Sequence, residues 1–205
     1  MNKLLYAPGA CSIGIHVLLE EIGKPYEAEQ VDLRAPAPER PFTAINPKSK
    51  VPTLVREDGS VLTEFPAIAW WLARTNPEAQ LLPDDADGQA RVLEALDYVV
   101  STVHMRSFTL MNRPGNFSPL EGAHDSIRAR GRENFAKGLA VMDKALEGKD
   151  YVLGRFSIAD AALFYVELWA SRVNMPLPAN CAAHLARMKA RPAVAAVLRQ
   201  EGLTA

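Results

Sequence analysis

Short apolar runs and a helical repeat alternate in the N-terminal part of the chain. Lys3–Tyr6 has the composition of a β-strand, and Pro8-Gly9 marks a turn after it. From Ser12 to Ile22, apolar side chains recur at intervals of three and four residues, which predicts a helix with one buried face. Gly23 and Pro25 predict its end. The chain is therefore expected to open with a strand and a helix that begins directly after it.

A second strand and a hairpin follow in the same pattern. Polar and apolar residues alternate over Glu27–Leu33, and the proline-rich stretch Arg34–Pro41 predicts a loop. Thr53–Arg56 and Ser60–Thr63 flank the turn Glu57-Asp58-Gly59, in which a glycine suits a positive φ. These two runs predict a β-hairpin. The first half is thus expected to follow the order β-α-β and then β-β-α.

Helical periodicity takes over in the second half. Pro66 suits the first turn of a helix, because its missing N–H needs no partner there. After the polar stretch Asn76–Asp85 the strand pattern disappears, which places a domain boundary there. We expect an α/β domain over residues 1–80 and an all-helical domain over 86–205. The predicted helices of the second domain are Gln89–Met111, Ser126–Leu146, Ile158–Val173, Cys181–Lys189 and one after Pro192.

Composition and charge restrict the classes of function. The 205 residues carry 23 Lys plus Arg against 24 Asp plus Glu, a net charge of −1, so nucleic acid is not expected as the main partner. No apolar run reaches the length of a membrane span, and the apolar N-terminal segment is too short for a signal peptide. We therefore expect a cytoplasmic protein with no membrane partner. The two cysteines, Cys11 and Cys181, form no Cys-x-x-Cys pair, so no metal site is predicted.

The turn into the first helix carries the first candidates for chemistry. At Cys11, the N–H groups and the positive end of the helix favour a thiolate over a thiol. A lone cysteine is also often a small buried apolar residue. Ser12 is a competing catalytic candidate whose other expected role is to cap the helix through its hydroxyl. Tyr6 is placed to donate a phenolic hydrogen bond near the turn or to pack within the strand.

Two further segments have features of a peptide or amino-acid site. Val51-Pro52 begins the hairpin, where a cis bond would turn the Val51 backbone outward to pair with an extended peptide; an edge-strand proline without a ligand is the alternative. At the start of the next helix, N–H groups near Phe65 can receive a carboxylate while Glu64 accepts an ammonium. An α-amino acid fits this arrangement. Alternatively, Glu64 only complements the helix dipole.

The helical half offers a polar stripe and a capping motif. Asp97, Ser101 and His104 are spaced to share one face of a long helix, either as a functional stripe or as the solvated side. Ser157 and Asp160 form a capping box ahead of an apolar run, with a structural role.

Taken together, these motifs resemble the cytosolic glutathione S-transferases, and most closely the bacterial beta class. The resemblance spans almost the whole chain, and its specificity comes from the order of the motifs. They are Tyr6-x-Pro8-Gly9-Ala10-Cys11-Ser12, Asn46-Pro47-Lys48-x-Lys50-Val51-Pro52-x-Leu54, Asp58-Gly59-x-x-Leu62-Thr63-Glu64, His104 and Ser157-Ile158-Ala159-Asp160.

The resemblance implies a thioredoxin-like N-terminal domain, an all-helical C-terminal domain and a homodimer. It also implies that the chain joins the thiol of glutathione, its co-substrate, to small hydrophobic electrophiles in detoxification. Two alternatives stay open: a glutathione-dependent thiol–disulfide reductase or peroxidase that uses Cys11, and a non-enzymatic binder of hydrophobic ligands.

Site roles follow from the same resemblance. Cys11 contacts the glutathione sulfur, Val51 pairs with the cysteinyl backbone, and Pro52 is the family's cis-proline. Glu64 and the Phe65 N–H hold the γ-glutamyl end. Ser12 is an alternative group for stabilising the sulfur, and Tyr6 is another glutathione contact. His104, a catalytic candidate, matches a beta-class histidine that lines the thiol side of the cleft, and Asp97 and Ser101 match its polar neighbours and are implied glutathione contacts.

The chain departs from the family pattern at four places. Phe65 replaces a Ser or Gly, which removes a hydroxyl but keeps the backbone donor. Asp97 stands where close relatives carry Asn, and its added charge suits the glutathione ammonium. The loop that begins at Arg34 lacks a lysine that contacts the glycyl end, so Arg34 is the candidate for that contact. Met105 replaces a basic residue after the histidine.

Overall fold

A computed structural model of the protein describes residues 1–36 and 39–203. Ala37 and Pro38 of the predicted proline-rich loop lie outside the described residues, as do the last two positions of the predicted helical domain. The chain forms two compact units, one of Met1–Pro83 with Arg187–Ala205 and one of Asp84–Ala186. No helix among the described residues is long and apolar enough to span a membrane.

The first unit contains a four-stranded mixed sheet. Its strands are β1 (Asn2–Tyr6), β2 (Tyr26–Gln30), β3 (Thr53–Val55) and β4 (Val61–Thr63), in the spatial order β2-β1-β3-β4. β1 pairs parallel with β2 and antiparallel with β3, and β3 pairs antiparallel with β4. This arrangement confirms the predicted thioredoxin-like order of strands and the hairpin around Gly59, whose φ is 81°.

Strand β2 differs from its prediction of Glu27–Leu33, because it begins at Tyr26 and ends at Gln30. Beyond it, the Arg34 N–H donates to Asp32 Oδ1 at 2.8 Å, which turns the chain away from the sheet. Val31 and Leu33 then pack against a buried apolar cluster of Leu5, Ala7, Phe42 and Val51. Val31 and Leu33, at the end of the alternating pattern, therefore belong to a loop and not to strand β2.

Three α-helices lie wholly within the first unit, as far as the structure describes it. They are α1 (Ser12–Ile22), α2 (Phe65–Thr75) and the last helix of the chain, which is named α8 (Pro192–Gln200). α1 ends at Gly23 in the left-handed conformation, as its sequence predicts. α8 packs against α1, so the end of the chain shares a unit with its beginning.

The helices of the second half are α3 (Ala86–Asp97), α4 (Thr109–Asn112), α5 (His124–Ala145), α6 (Ile158–Arg172) and α7 (Ala179–Ala190). The predicted single helix Gln89–Met111 is corrected: Tyr98–Phe108 between α3 and α4 is π-helical. The Ser107 hydroxyl donates to the Thr102 carbonyl and the Thr109 hydroxyl to the His104 carbonyl, both five residues back. The wider π turn changes which residues share a face, so the α-helical spacing fails there.

A buried polar cluster anchors α6. The predicted capping box is confirmed, because Ser157 N–H donates to Asp160 Oδ2 at 2.8 Å and the Ser157 hydroxyl accepts from the backbone of the first turn. His184 on α7 lies 3.3 Å from Asp160 Oδ1 and 2.8 Å from Glu167 Oε2. Burial alone would lower the pKa of His184, but these two carboxylates outweigh it and raise that pKa to about 9.

Candidate functional site

The turn between β1 and α1 is built around the Ser12 hydroxyl. This fully buried oxygen accepts from the Ala7 N–H at 3.2 Å and lies 3.4 Å from the Ala7 carbonyl. Ser12 is the first residue of α1 and makes no capping hydrogen bond, so its predicted role as N-cap is wrong; Cys11 holds that position. The cause is the tight turn, which directs the hydroxyl back to β1. A catalytic role for Ser12 stays a prediction.

Cys11 contacts the loop that precedes β3. Its thiol donates to the carbonyl oxygen of Val51, with 3.3 Å between Sγ and O. Burial raises the pKa of the Cys11 thiol to about 12, although the backbone N–H groups of Cys11 and Ser12 oppose the shift. This shift opposes the thiolate that the helix start favours, and the catalytic role of Cys11 stays a prediction.

The loop that carries Val51 is held in place from within. The Val51–Pro52 peptide bond is cis, as the resemblance implies. Asn46 is buried, and its Nδ2 donates to the Lys50 carbonyl at 3.0 Å and to Thr53 Oγ1 at 2.8 Å. These bonds fix the backbone on both sides of the cis-proline, so that the Val51 carbonyl is presented to Cys11.

Glu64 occupies an unusual backbone position at the start of α2. Its φ of 71° lies in the left-handed region, and its carboxylate accepts from Lys48 Nζ at 2.8 Å. Lys48 Nζ also donates to Thr63 Oγ1 at 2.8 Å. Phe65 begins the helix with its side chain only 4% exposed, so the aromatic ring fills the interior of the unit. The start of α2 thus presents a carboxylate and helix-end N–H groups, the two groups that an α-amino acid requires.

Two other predicted glutathione contacts of this unit have other partners in the structure. The Tyr6 ring lies 5.1 Å from the His16 ring, and burial raises the pKa of the Tyr6 hydroxyl. Arg34 is 91% exposed and binds the Asp32 carboxylate, with Nη2 to Oδ2 at 2.8 Å. Hydrogen bonds from Arg34 lower the pKa of Asp32 to about 2. Roles of Tyr6 and Arg34 toward glutathione stay predictions.

In the second unit, two residues of the predicted polar stripe are hydrogen-bonded to each other, and the third, His104, has other partners. The Ser101 hydroxyl donates to Asp97 Oδ2 over a long distance of 3.5 Å. His104 Nδ1 lies 3.2 Å from the Tyr165 hydroxyl, and its ring lies 4.7 Å from that of Trp169. Burial, and then the charge of Arg113, lowers the pKa of His104 to about 4. His104 is therefore neutral at pH 7 and suited to hydrogen bonding.

Sequence reasoning assigned no role to several residues that organise the first unit. Glu201, near the end of the chain, is buried; its Oε2 accepts from the Gly9 N–H at 2.7 Å and its Oε1 lies 2.9 Å from His16 Nδ1. Arg40 donates to the carbonyls of Leu33 and Ser49 at 2.7 and 2.6 Å. For Lys48, its place in the Asn-Pro-Lys motif was a usable signal. For Glu201, no local pattern reveals a partner so far along the chain.

Comparison with known protein families gives a match for each half of the chain. Residues 9–75 match the family described as Glutathione S-transferase, N-terminal domain. Residues 125–200 match Glutathione S-transferase, C-terminal domain. Glutathione S-transferase GstA from Escherichia coli is 38% identical over 207 residues, covering 98% of this chain and 99% of that protein.

Solved structures agree with these matches. A glutathione transferase homolog from Sulfitobacter with bound glutathione has a TM-score of 0.91 at 30% identity, covering 100% of this chain and 99% of that one. A bacterial beta class glutathione S-transferase from Sphingomonas chungbukensis has a TM-score of 0.86 at 33% identity, covering 98% of this chain and 100% of that one. The resemblance inferred from the motifs is confirmed.

Proposed function

The chain belongs to the glutathione S-transferase family, and we propose that it uses the site around Cys11 to join the glutathione sulfur to small hydrophobic electrophiles. As a glutathione transferase, the enzyme uses glutathione as its co-substrate. The observation that carries the site assignment is the hydrogen bond of the Cys11 thiol, at the start of α1, to the Val51 carbonyl, with 3.3 Å between Sγ and O.

The binding of glutathione is assigned to two backbone segments. The cysteinyl N–H of glutathione pairs with the Val51 carbonyl, which projects from the loop before β3. The ammonium of its γ-glutamyl group binds the Glu64 carboxylate, and the adjacent carboxylate binds N–H groups at the start of α2. In the structure, Lys48 Nζ lies 2.8 Å from the Glu64 carboxylate.

Arrival of the ligand at Val51 releases the Cys11 thiol for its catalytic role. In the structure, the Cys11 S–H donates to the Val51 carbonyl oxygen. The ligand N–H would use the same oxygen as its acceptor. Once that oxygen accepts from glutathione, the S–H turns toward the glutathione sulfur and donates to it. A hydrogen bond to the sulfur stabilises its anionic form more than its neutral form, and so lowers its pKa. The N–H groups at the start of α1 act in the same direction.

The reaction then consists of one displacement or addition. The thiol proton of glutathione leaves to solvent, and the sulfur attacks an electrophilic carbon of the acceptor. A carbon–sulfur bond forms, and with an aryl halide the carbon–halogen bond breaks as halide departs with the electron pair. The protein contributes orientation and electrostatic stabilisation of the developing thiolate.

The raised pKa of the Cys11 thiol argues against a reductase as the main activity. Disulfide exchange requires a thiolate nucleophile, and a thiol with a pKa of about 12 is almost wholly protonated at pH 7. Cys11 is therefore expected to react slowly with glutathione disulfide. A chain that only binds hydrophobic ligands would show glutathione affinity without product formation.

Paired assays separate these functions. Conjugation is measured with an activated aryl chloride, and formation of a glutathione adduct on Cys11 is measured by intact mass after treatment with glutathione disulfide. Conjugation without an adduct at pH 7 supports the proposal. An adduct together with rapid disulfide reduction and slow conjugation would support the reductase instead.

We also propose a homodimer and a cytoplasmic role in detoxification, which rest on the motif resemblance. Sedimentation and subcellular fractionation test the assembly and the location. The catalytic role of His104 and the glutathione-binding roles of Asp97 and Ser101 rest on the same resemblance. Single alanine substitutions at these positions, assayed for the KM of glutathione, test them.

A further inference from the structure

Arg40 joins two backbone segments of the first unit through one side chain. Its Nη1 donates to the Ser49 carbonyl at 2.6 Å, in the loop of residues 46–51, here called the Val51 loop. Its Nη2 donates to the Leu33 carbonyl at 2.7 Å and its Nε to the Ala35 carbonyl at 3.0 Å, in residues 33–35, here called the Arg34 segment. On the basis of the function proposed above, we infer that Arg40 is a positioning residue for glutathione, which sets the spacing between these two segments.

The Arg34 segment carries the residue that is predicted to contact the glycyl end of glutathione. Leu33 and Ala35 flank Arg34, and the carbonyls of both accept from Arg40. The Arg34 side chain is exposed and binds Asp32, so packing does not determine where it lies. Arg40 therefore holds the backbone from which the Arg34 side chain extends.

The Val51 loop is held by Arg40 at a residue with a strained backbone. Ser49 has a φ of 53°, in the left-handed region, which a residue other than glycine adopts when its surroundings hold it there. Its N–H donates to the Asn46 carbonyl at 2.8 Å, and its hydroxyl lies 2.7 Å from Thr43 Oγ1. Its carbonyl accepts from Arg40, which completes the restraint. Since Ser49 lies two residues before Val51, this restraint directs the chain that presents the Val51 carbonyl.

Apolar packing brings the same two segments together. Leu33 packs against the buried apolar cluster that includes Val51. Apolar contacts are not directional, so they do not fix the orientation of the backbone carbonyls. The guanidinium of Arg40 is planar and rigid, and its three hydrogen bonds supply that orientation. Loss of Arg40 is therefore expected to change the spacing of the segments while the unit stays folded.

The spacing matters for a ligand that contacts both segments at once. Glutathione is expected to use the Val51 loop for its cysteinyl part and the Arg34 segment for its glycyl end. Segments that are already held in place need not be ordered when the ligand binds, which favours affinity. γ-Glutamylcysteine lacks the glycyl residue and contacts the Val51 loop without the Arg34 segment. It is therefore the matched probe, and it should depend less on Arg40.

Titration calorimetry on the full chain measures the dissociation constants of both ligands in wild type, Arg40→Met and Arg40→Lys. Arg40→Met keeps an unbranched side chain without donors and is expected to weaken glutathione about tenfold and γ-glutamylcysteine about threefold at most. Arg40→Lys keeps the charge and one donor nitrogen, so its loss for glutathione should be smaller. Arg132→Met is the control, because Arg132 Nη2 donates to the Asn174 carbonyl at 3.3 Å in the second unit, and both affinities should stay at the wild-type values.

Unchanged glutathione affinity in Arg40→Met, or an equal loss for the two ligands, would overturn the inference. If Arg40→Met fails to fold, Arg40→Lys makes the same comparison between the ligands. A role in stability alone would lower the free energy of unfolding in urea without weakening glutathione more than γ-glutamylcysteine. A wild type that binds glutathione but forms no conjugate would contradict the proposed function, while the comparison of dissociation constants would still decide the role of Arg40.

Discussion

The Sγ atom of Cys11 lies 3.3 Å from the carbonyl oxygen of Val51, so the thiol at the start of α1 is bonded to the loop that is expected to hold glutathione. The residues are far apart in sequence, and the Ser12 hydroxyl and the buried Asn46 amide fix the backbone on the two sides of the contact. We expect a ligand N–H that binds the Val51 carbonyl to change the position of the thiol hydrogen. It is the relationship from which the proposed activation of glutathione follows.

Glu64→Gln tests the γ-glutamyl contact. The substitution keeps the size of the side chain and removes the charge that would receive the ligand ammonium, so the KM for glutathione is expected to rise about tenfold. A glutathione analogue that lacks the α-amino group serves as the control, since it should bind wild type and variant equally. Equal KM values of the two enzymes for glutathione itself would remove Glu64 from the site.

Phe65→Ser introduces a residue type that the family pattern has at this position. It tests whether the aromatic ring stabilises the first unit. The Phe65 ring is 4% exposed, and loss of a buried aromatic ring is expected to lower the free energy of unfolding by about 3 kcal/mol. Its backbone N–H is retained, so the KM for glutathione is expected to change little. Urea denaturation measures the stability, with Phe65→Leu as a milder control. A Ser variant as stable as wild type would show that the ring does not stabilise the unit.

Glu201→Ala removes the carboxylate that joins the end of the chain to the Cys11 turn. Two buried hydrogen bonds to this carboxylate are lost, from the Gly9 N–H and from His16 Nδ1, so the free energy of unfolding is expected to fall by about 3 kcal/mol. Glu201→Gln keeps one oxygen and is expected to lose less. Chemical denaturation of both variants makes the comparison, and equal stability of Ala and Gln would contradict the role of this carboxylate.

The buried His184 cluster predicts how stability depends on pH. The pKa of His184 is raised to about 9 in the folded state, so the native state holds a proton that the unfolded chain releases near its ordinary value. Stability is then present at low pH and is lost as pH rises toward 9. The loss between pH 7 and pH 9 is expected to be on the order of 2 kcal/mol.

Unfolding by urea across this range, in wild type and His184→Gln, measures the effect. Burial also raises the pKa of Glu167, to about 7, which gives a slope of the same sign at lower pH. The Gln variant should show a flatter profile above pH 7. Parallel profiles in the two proteins would assign the pH dependence to other groups.

The order of strands and helices could be predicted because each element carries its own periodicity or turn residue. α1 has its apolar stripe and Gly23, the hairpin has Gly59, and α6 has its capping box at Ser157. The π-helical stretch Tyr98–Phe108 could not be predicted, since its apolar spacing is compatible with an ordinary helix.

The site was predictable where a motif is contiguous and unpredictable where contacts are long-range. Cys11 and Glu64 stand out by their position at helix starts. The protonation of Cys11 depends on burial that no local pattern reveals, and His16 meets Glu201 across 185 residues of sequence. The family resemblance implies which part of glutathione each motif contacts, but it does not indicate these buried hydrogen bonds.

The most direct test of the central claim compares wild type with Cys11→Ser and Cys11→Ala in glutathione conjugation as a function of pH. If the Cys11 thiol acts as a hydrogen-bond donor, Ser should retain most of the activity. Ala should lose about fivefold in kcat/KM, equivalent to about 1 kcal/mol, with its pH profile shifted to higher pH. Equal activity and equal pH profiles in all three proteins would contradict the account, and so would equal loss in Ser and Ala together with a glutathione adduct on wild-type Cys11 at pH 7.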